Sequence, residues 1–113
     1  MDELLRWLYG KSAKNAHIRE MAKKTLNILK SQQSIEHQEL CKLLEIGFDS
    51  YQKPKRTFYF VVNPLKKVSL INDKRMYIDS EKKKYNTVYF LTPEMFQGYM
   101  KKTLDDFHTQ LKA

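Results

Sequence analysis

Cysteine, glycine and long apolar runs are all scarce in this chain. One cysteine among 113 residues cannot form an internal disulfide, which suits a reducing, cytoplasmic setting. Three glycines are too few for a flexible linker. None forms part of a glycine-rich loop of the kind that cradles phosphates, so nucleotide hydrolysis has no support. No run approaches the roughly 20 apolar residues of a membrane-spanning helix. The start, Met1-Asp2-Glu3, lacks the positive region and apolar stretch of a secretory signal. Internal repeats and low-complexity tracts are missing as well. The length suits one domain with a single core.

What the chain does have is apolar and aromatic side chains, at 42% hydrophobic with seven Tyr and six Phe, enough to expect a folded protein. Groups with metal or catalytic potential are sparse. His37 and Cys41 stand four apart on one expected helix, but a structural zinc site needs about four ligands and no second pair is near. Cys41 reads instead as a small buried hydrophobe. Asp105, Asp106 and His108 cluster without a nucleophile and spread around a helix, so no acid–base machinery is expected. No metal and no cofactor are expected, and the chain is not expected to be an enzyme.

Charge is unevenly distributed. Residues 1–50 carry eight Lys/Arg against seven Asp/Glu, and residues 93–113 carry three of each. Residues 51–92 carry ten against three. Nearly all of the net +8 therefore sits in one segment, as a phosphate-binding face would require. A solvated lysine-rich surface is the plain alternative.

Helical periodicity predicts helices over 2–9 and over 13–31, the latter with Ile18, Met21, Ala22, Thr25, Leu26 and Leu29 on one face. Ser34 is expected to cap a helix running to about Ile46 and stopped by Gly47. The stretch from Thr57 to Val62 is rich in strand formers, and Pro64 would interrupt a helix; by propensity it would be a strand in a four-strand meander. The period favours a helix, with Phe58, Val61, Val62, Leu65 and Val68 on one face and Arg56, Tyr59, Asn63 and Lys67 opposite. Asn72-Asp73-Lys74 reads as a turn. Arg75–Asp79 and Tyr85–Leu91 read as strands around a lysine-bearing tip, Asp79 to Lys84. Thr92 and Pro93 open a last helix to about Leu111.

In that order, a helix over Thr25–Leu29, a second from Ser34 to Leu44, a basic apolar helix from Lys55 through Asn63-Pro64-Leu65-Lys66-Lys67 to Leu70-Ile71, and a hairpin with a lysine tip resemble a winged helix-turn-helix. This is the DNA-binding module of many transcription regulators of prokaryotic, archaeal or viral type. The resemblance covers about residues 14–92, within a single domain of 1–113 whose ends, 1–10 and 93–111, are expected as accessory dimerisation helices. It departs from the family in a long turn between Ile46 and Lys53, and in Ser69 where glycine is frequent, which suggests a less sharp exit from the helix.

The resemblance implies an α+β, mostly helical fold, and sequence-specific binding of double-stranded DNA by a cytoplasmic transcription regulator. The recognition helix would lie in the major groove. Arg56 would pair with guanine and Gln52 or Asn63 with adenine, because their planar forks match two groups on one base. Tyr51, Thr57 and Tyr59 would meet phosphate or thymine methyls, and Lys53, Lys55 and Lys67 would also contact the DNA. Lys82, Lys83 and Lys84 on the wing would hold the backbone or minor groove, giving affinity more than sequence choice. Phe60 falls on the outward face and is expected to pack on the N-terminal helix, with contact to DNA as the alternative.

Two other classes compete. A winged module can dock a protein, its lysines merely solvated. An exposed sheet can stack single-stranded bases or RNA on Tyr77, Tyr85, Tyr89 and Phe90. Finally, Leu4, Leu5, Trp7 and Leu8 at one end, with Phe96, Met100, Leu104, Phe107 and Leu111 at the other, are more apolar surface than so small a domain hides alone. That predicts a homodimer.

Overall fold

Helices α1 (Asp2–Tyr9), α2 (Ala16–Ser31), α3 (His37–Leu43), α4 (Arg56–Lys67) and α5 (Pro93–Lys112) combine with strands β1 (Ile35–Glu36), β2 (Ile71–Asp79) and β3 (Lys84–Leu91) in a computed structural model of the chain. The structure describes residues 1–47, 55–79, 81–82 and 84–112. The class is α+β and mostly helical, with an antiparallel sheet in the order β1-β3-β2.

The core forms where the helical stripes meet the sheet. Ile18, Ala22, Thr25, Leu26 and Leu29 of α2 are buried, facing Phe58, Val61, Val62 and Leu65 of α4. Each fully buried side chain of this size contributes about 1.5–3 kcal/mol from leaving water. Thr25 is the buried polar exception, and its hydroxyl donates to the Met21 carbonyl at 2.9 Å, so the polar group is satisfied where it lies. The segment 57–62, open between strand and helix on propensity, is helical. Its buried face matches the period, and Pro64 sits inside the helix with the chain continuing to Lys67.

Helix α1, expected as an accessory, belongs to the same core. Leu5 and Tyr9 are buried, and the Tyr9 hydroxyl donates to the Val61 carbonyl, tying α1 onto α4. Leu5 therefore has no surface left for a second copy. Arg19 secures the turn that follows, donating to the carbonyls of Gly10 at 2.7 Å and Ser12 at 2.8 Å.

Three expected boundaries move. The residues after Ser34 form no helix at once: Ile35 and Glu36 pair with Tyr89 and Val88 as β1, and α3 starts at His37. Ile35 is buried in the core in that position. Gly47 is not the stop of α3. Glu45 takes the left-handed conformation at φ 58°, with Glu45 N–H to the Lys42 carbonyl and Ile46 N–H to the Cys41 carbonyl closing the helix end. The same arrangement ends α4. Ser69 is left-handed at φ 62°, Ser69 N–H donates to Lys66 and Leu70 N–H to Leu65.

The exit from α4 is thus sharp despite the serine. Leu70 and Ile71 lie beyond the helix, and Asn72-Asp73-Lys74, expected as a turn, is strand. The Asn72 amide donates to the Thr92 hydroxyl at 3.0 Å, which itself donates to the Ser69 carbonyl at 2.7 Å. These bonds lock the turn to the start of α5. A left-handed serine carries a steric cost that glycine lacks. Ser69→Gly is accordingly expected to raise stability by roughly 0.5–1 kcal/mol, the relief exceeding the added freedom of the unfolded chain. Urea unfolding measures it; a destabilisation would mean that the serine side chain contributes beyond backbone conformation.

Candidate nucleic-acid interface

The outward face of α4 is the centre of the site. Arg56, Tyr59, Phe60, Asn63 and Lys67 are exposed there, and Thr57 is half-buried. The face is held by what lies beneath it. The Phe58 ring is fully buried and meets His37 edge-on at 4.7 Å and Tyr89 at 6.0 Å. Arg56 occupies the first turn of α4. Lys55 is exposed just before it, and its N–H donates to the Gly47 carbonyl at 2.9 Å, closing the base of the long connection from α3. Tyr51, Gln52 and Lys53, and Lys83 in the hairpin, lie outside the described residues.

Strands β2 and β3 form the second part. Their register runs from Ile71↔Leu91 to Tyr77↔Tyr85 and shifts at Ile78, so that Asp79 pairs with Lys84. Lys84, expected in the tip, is therefore strand. The turn is built on Asp79, whose carboxylate accepts from the N–H of Glu81 at 3.1 Å and of Lys82 at 3.3 Å. Lys82 and Lys84 are exposed beside it.

Not every cation in the basic segment is free. Lys66 pairs with Asp73 at 3.2 Å, joining α4 to β2. Arg75 lies 4.5 Å over the Tyr85 ring and Lys74 5.5 Å over the Phe90 ring. The ion pair is half exposed and worth little energetically. Sequence spacing gave no hint of it.

The four aromatics expected as a stacking surface do not form one. Alternation puts Tyr77, Tyr85 and Tyr89 on one face of the sheet and Phe90 on the other. Tyr89 is buried, and its hydroxyl stands 3.0 Å from His37 Nδ1. Only Tyr77 and Tyr85 stay exposed together, edge to face at 5.9 Å.

His37 thus belongs to an aromatic cluster and Cys41 is fully buried. Among the described residues no three His, Cys, Asp or Glu side chains gather as metal ligands. Burial holds the His37 pKa below its ordinary value. Above the ordinary histidine pKa, near 6.5, the ring is neutral in both folded and unfolded chains and contributes no pH dependence. As pH falls below that value the unfolded chain takes up the proton first, so stability declines until the lowered folded pKa is passed. His37→Phe is expected to remove that portion of the acid-side loss. Thermal unfolding of both proteins between pH 7.5 and 4.5 tests it, and parallel curves would show that His37 does not contribute.

Trp7, Leu8, Phe60, Pro64 and Tyr99 line a groove of about 570 Å³ that Asn63 and Lys67 of the outward face of α4 also border. Phe60 stands next to α1 as expected, yet remains 56% exposed. Further along, α5 departs from the body: Phe96 and Met100 are half-buried, and every residue from Lys101 to Lys112 is exposed. No helix among the described residues is long and apolar enough to cross a membrane.

No protein-family profile and no curated protein sequence matches the chain. The structure is similar to that of a possible transcriptional regulator from Methanosarcina mazei Go1, with a TM-score of 0.51 and 14% identity over 98% of this chain and 85% of that one. At that identity the similarity shows a shared α+β fold and nothing about residues or ligands.

Proposed function

We propose that this protein is a winged helix-turn-helix transcription regulator that binds double-stranded DNA in a sequence-specific manner. In this reading α2, α3 and α4 are the three-helix unit, β1 completes the small sheet, and the β2–β3 hairpin is the wing. The observation that carries it is the outward face of α4, where Arg56, Asn63 and Lys67 project on one side of the helix, in a chain whose hairpin also exposes Lys82 and Lys84. Arg56 and Asn63 bear the planar forks that read base edges, and Lys55, Lys67, Lys82 and Lys84 supply phosphate contacts. The order of elements and the fold shared with a possible transcriptional regulator support the same reading.

In this reading the protein acts by binding and not by catalysis. It functions as a cytoplasmic homodimer, which places two α4 helices about 34 Å apart on one face of a duplex, matching a palindromic site. Selection of bound duplexes from a random-sequence library tests the specificity. Recovered sequences are expected to converge on an inverted repeat, whereas a pool no different from its input would leave only non-specific phosphate binding.

A further inference from the structure

Rings from three separate elements converge at the groove that borders the outward face of α4. Trp7 of α1, Phe60 of α4 and Tyr99 of α5 line it, and its volume of about 570 Å³ is that of a small-molecule site. Trp7 and Phe60 are 57% and 56% exposed, so the core does not use up either ring. Duplex DNA does not account for them. Its bases are stacked face to face, and its surface offers phosphates, sugars and base edges. A free planar aromatic molecule presents its faces and edges, which rings meet in preferred geometries that an aliphatic chain lacks.

The polar side of the groove selects the charge. Asn63 and Lys67 border it and stand four positions apart on α4, one above the other and about 5.4 Å apart along the axis. An amide N–H and an ammonium at that spacing both reach the oxygens of a single carboxylate. Among the described residues no Asp or Glu lines the groove, and Lys67 has no ion-pair partner, whereas its neighbour Lys66 is held by Asp73. The groove therefore attracts an anion and repels a cation.

We propose that this groove binds a small planar aromatic acid, with its ring among Trp7, Phe60 and Tyr99 and its carboxylate on Asn63 and Lys67. Asn63 and Lys67 are also the side chains assigned to duplex DNA. The acid and the duplex therefore compete for them, and the acid releases the protein from DNA. Only this second step rests on the DNA reading above.

Trp7 is the one tryptophan of the chain, so its indole N–H gives a single resonance in isotope-labelled protein. Titration with indole-3-acetate is expected to move that resonance saturably, with a Kd on the order of 0.1–1 mM for so small a ligand in an open groove. Indole-3-acetamide, the same ring without the charge, should bind about three- to fivefold more weakly. Lys67→Gln should erase that difference. Phe60→Ala alters an exposed side chain, leaves the core intact and should weaken both ligands. A Trp7 resonance that does not move overturns the proposal, as does an amide that binds as tightly as the acid.

Fluorescence anisotropy of a labelled duplex reads the second step, at constant ionic strength so that the added salt has no effect of its own. Indole-3-acetate at about nine times its Kd is expected to raise the apparent duplex Kd about tenfold. An unchanged duplex Kd with the acid bound overturns the competition. Absence of duplex binding before any acid is added refutes the DNA reading instead, and the Trp7 titration still decides the groove.

Discussion

Phe58→Ala is expected to lower stability by about 3–5 kcal/mol, a fall in Tm of more than about 12 °C for a chain of this size. Phe58 is the largest of the fully buried side chains, and its loss leaves a cavity under three neighbours at once. His37 at 4.7 Å, Tyr59 at 5.5 Å and Tyr89 at 6.0 Å all meet its ring. Those contacts join α3, α4 and β3, so the cavity opens where the three meet and the site face of α4 should loosen with it. Thermal or urea unfolding measures the loss. A cost near 1 kcal/mol would mean that the surrounding helices close over the space.

Arg56→Ala carries the second large effect, on binding and not on stability, because the side chain is exposed. Loss of a bidentate bond pair to a base is expected to cost about 1–3 kcal/mol, roughly 5- to 150-fold in Kd, and to relax discrimination at one base pair. Replacing Lys82 and Lys84 together should behave differently. Binding to every duplex weakens alike, and the slope of log K against log salt drops by about 0.9 for each phosphate that is no longer neutralised. Titrations of both variants against the selected site and against random duplex separate the roles. Equal losses on both DNAs for both variants would show that the roles are assigned wrongly.

Much of this architecture is legible in the amino-acid sequence. Helix α4 is the strongest case, because Phe58, Val61, Val62 and Leu65 recur with a helical period that outweighs their strand propensity, and all four are buried. Strand β1 was not legible. Two residues show no alternation, and their pairing is with Tyr89 and Val88, more than fifty positions away. The turn at Ser69 was hidden for a different reason. Left-handed turns are signalled by glycine or asparagine, while nearby Asn72-Asp73 has turn composition and is spent on side-chain bonds to Thr92 and Lys66 instead.

The site was legible in its helix and less so in its hairpin. Periodicity alone places Arg56, Tyr59, Asn63 and Lys67 on the outward face, where they are found. It says nothing of which hairpin aromatics remain exposed, since that depends on register with β2 and on the His37–Phe58 cluster behind Tyr89. Amphipathicity likewise identifies an apolar face without naming what covers it. The face of α1 bearing Leu5 turned inward, and that of α5 did not.

The central claim is that the basic face of α4 and the hairpin is made for duplex DNA. Its most direct test is one fluorescence anisotropy series in which wild-type protein is titrated with duplex DNA, single-stranded DNA and RNA at two salt concentrations. Phosphate contacts from Lys55, Lys67, Lys82 and Lys84 predict tightest binding to duplex, with affinity falling steeply as salt rises. Preference for single strands with a shallow salt dependence would instead assign binding to Tyr77 and Tyr85, and no binding to any of the three would contradict the account outright.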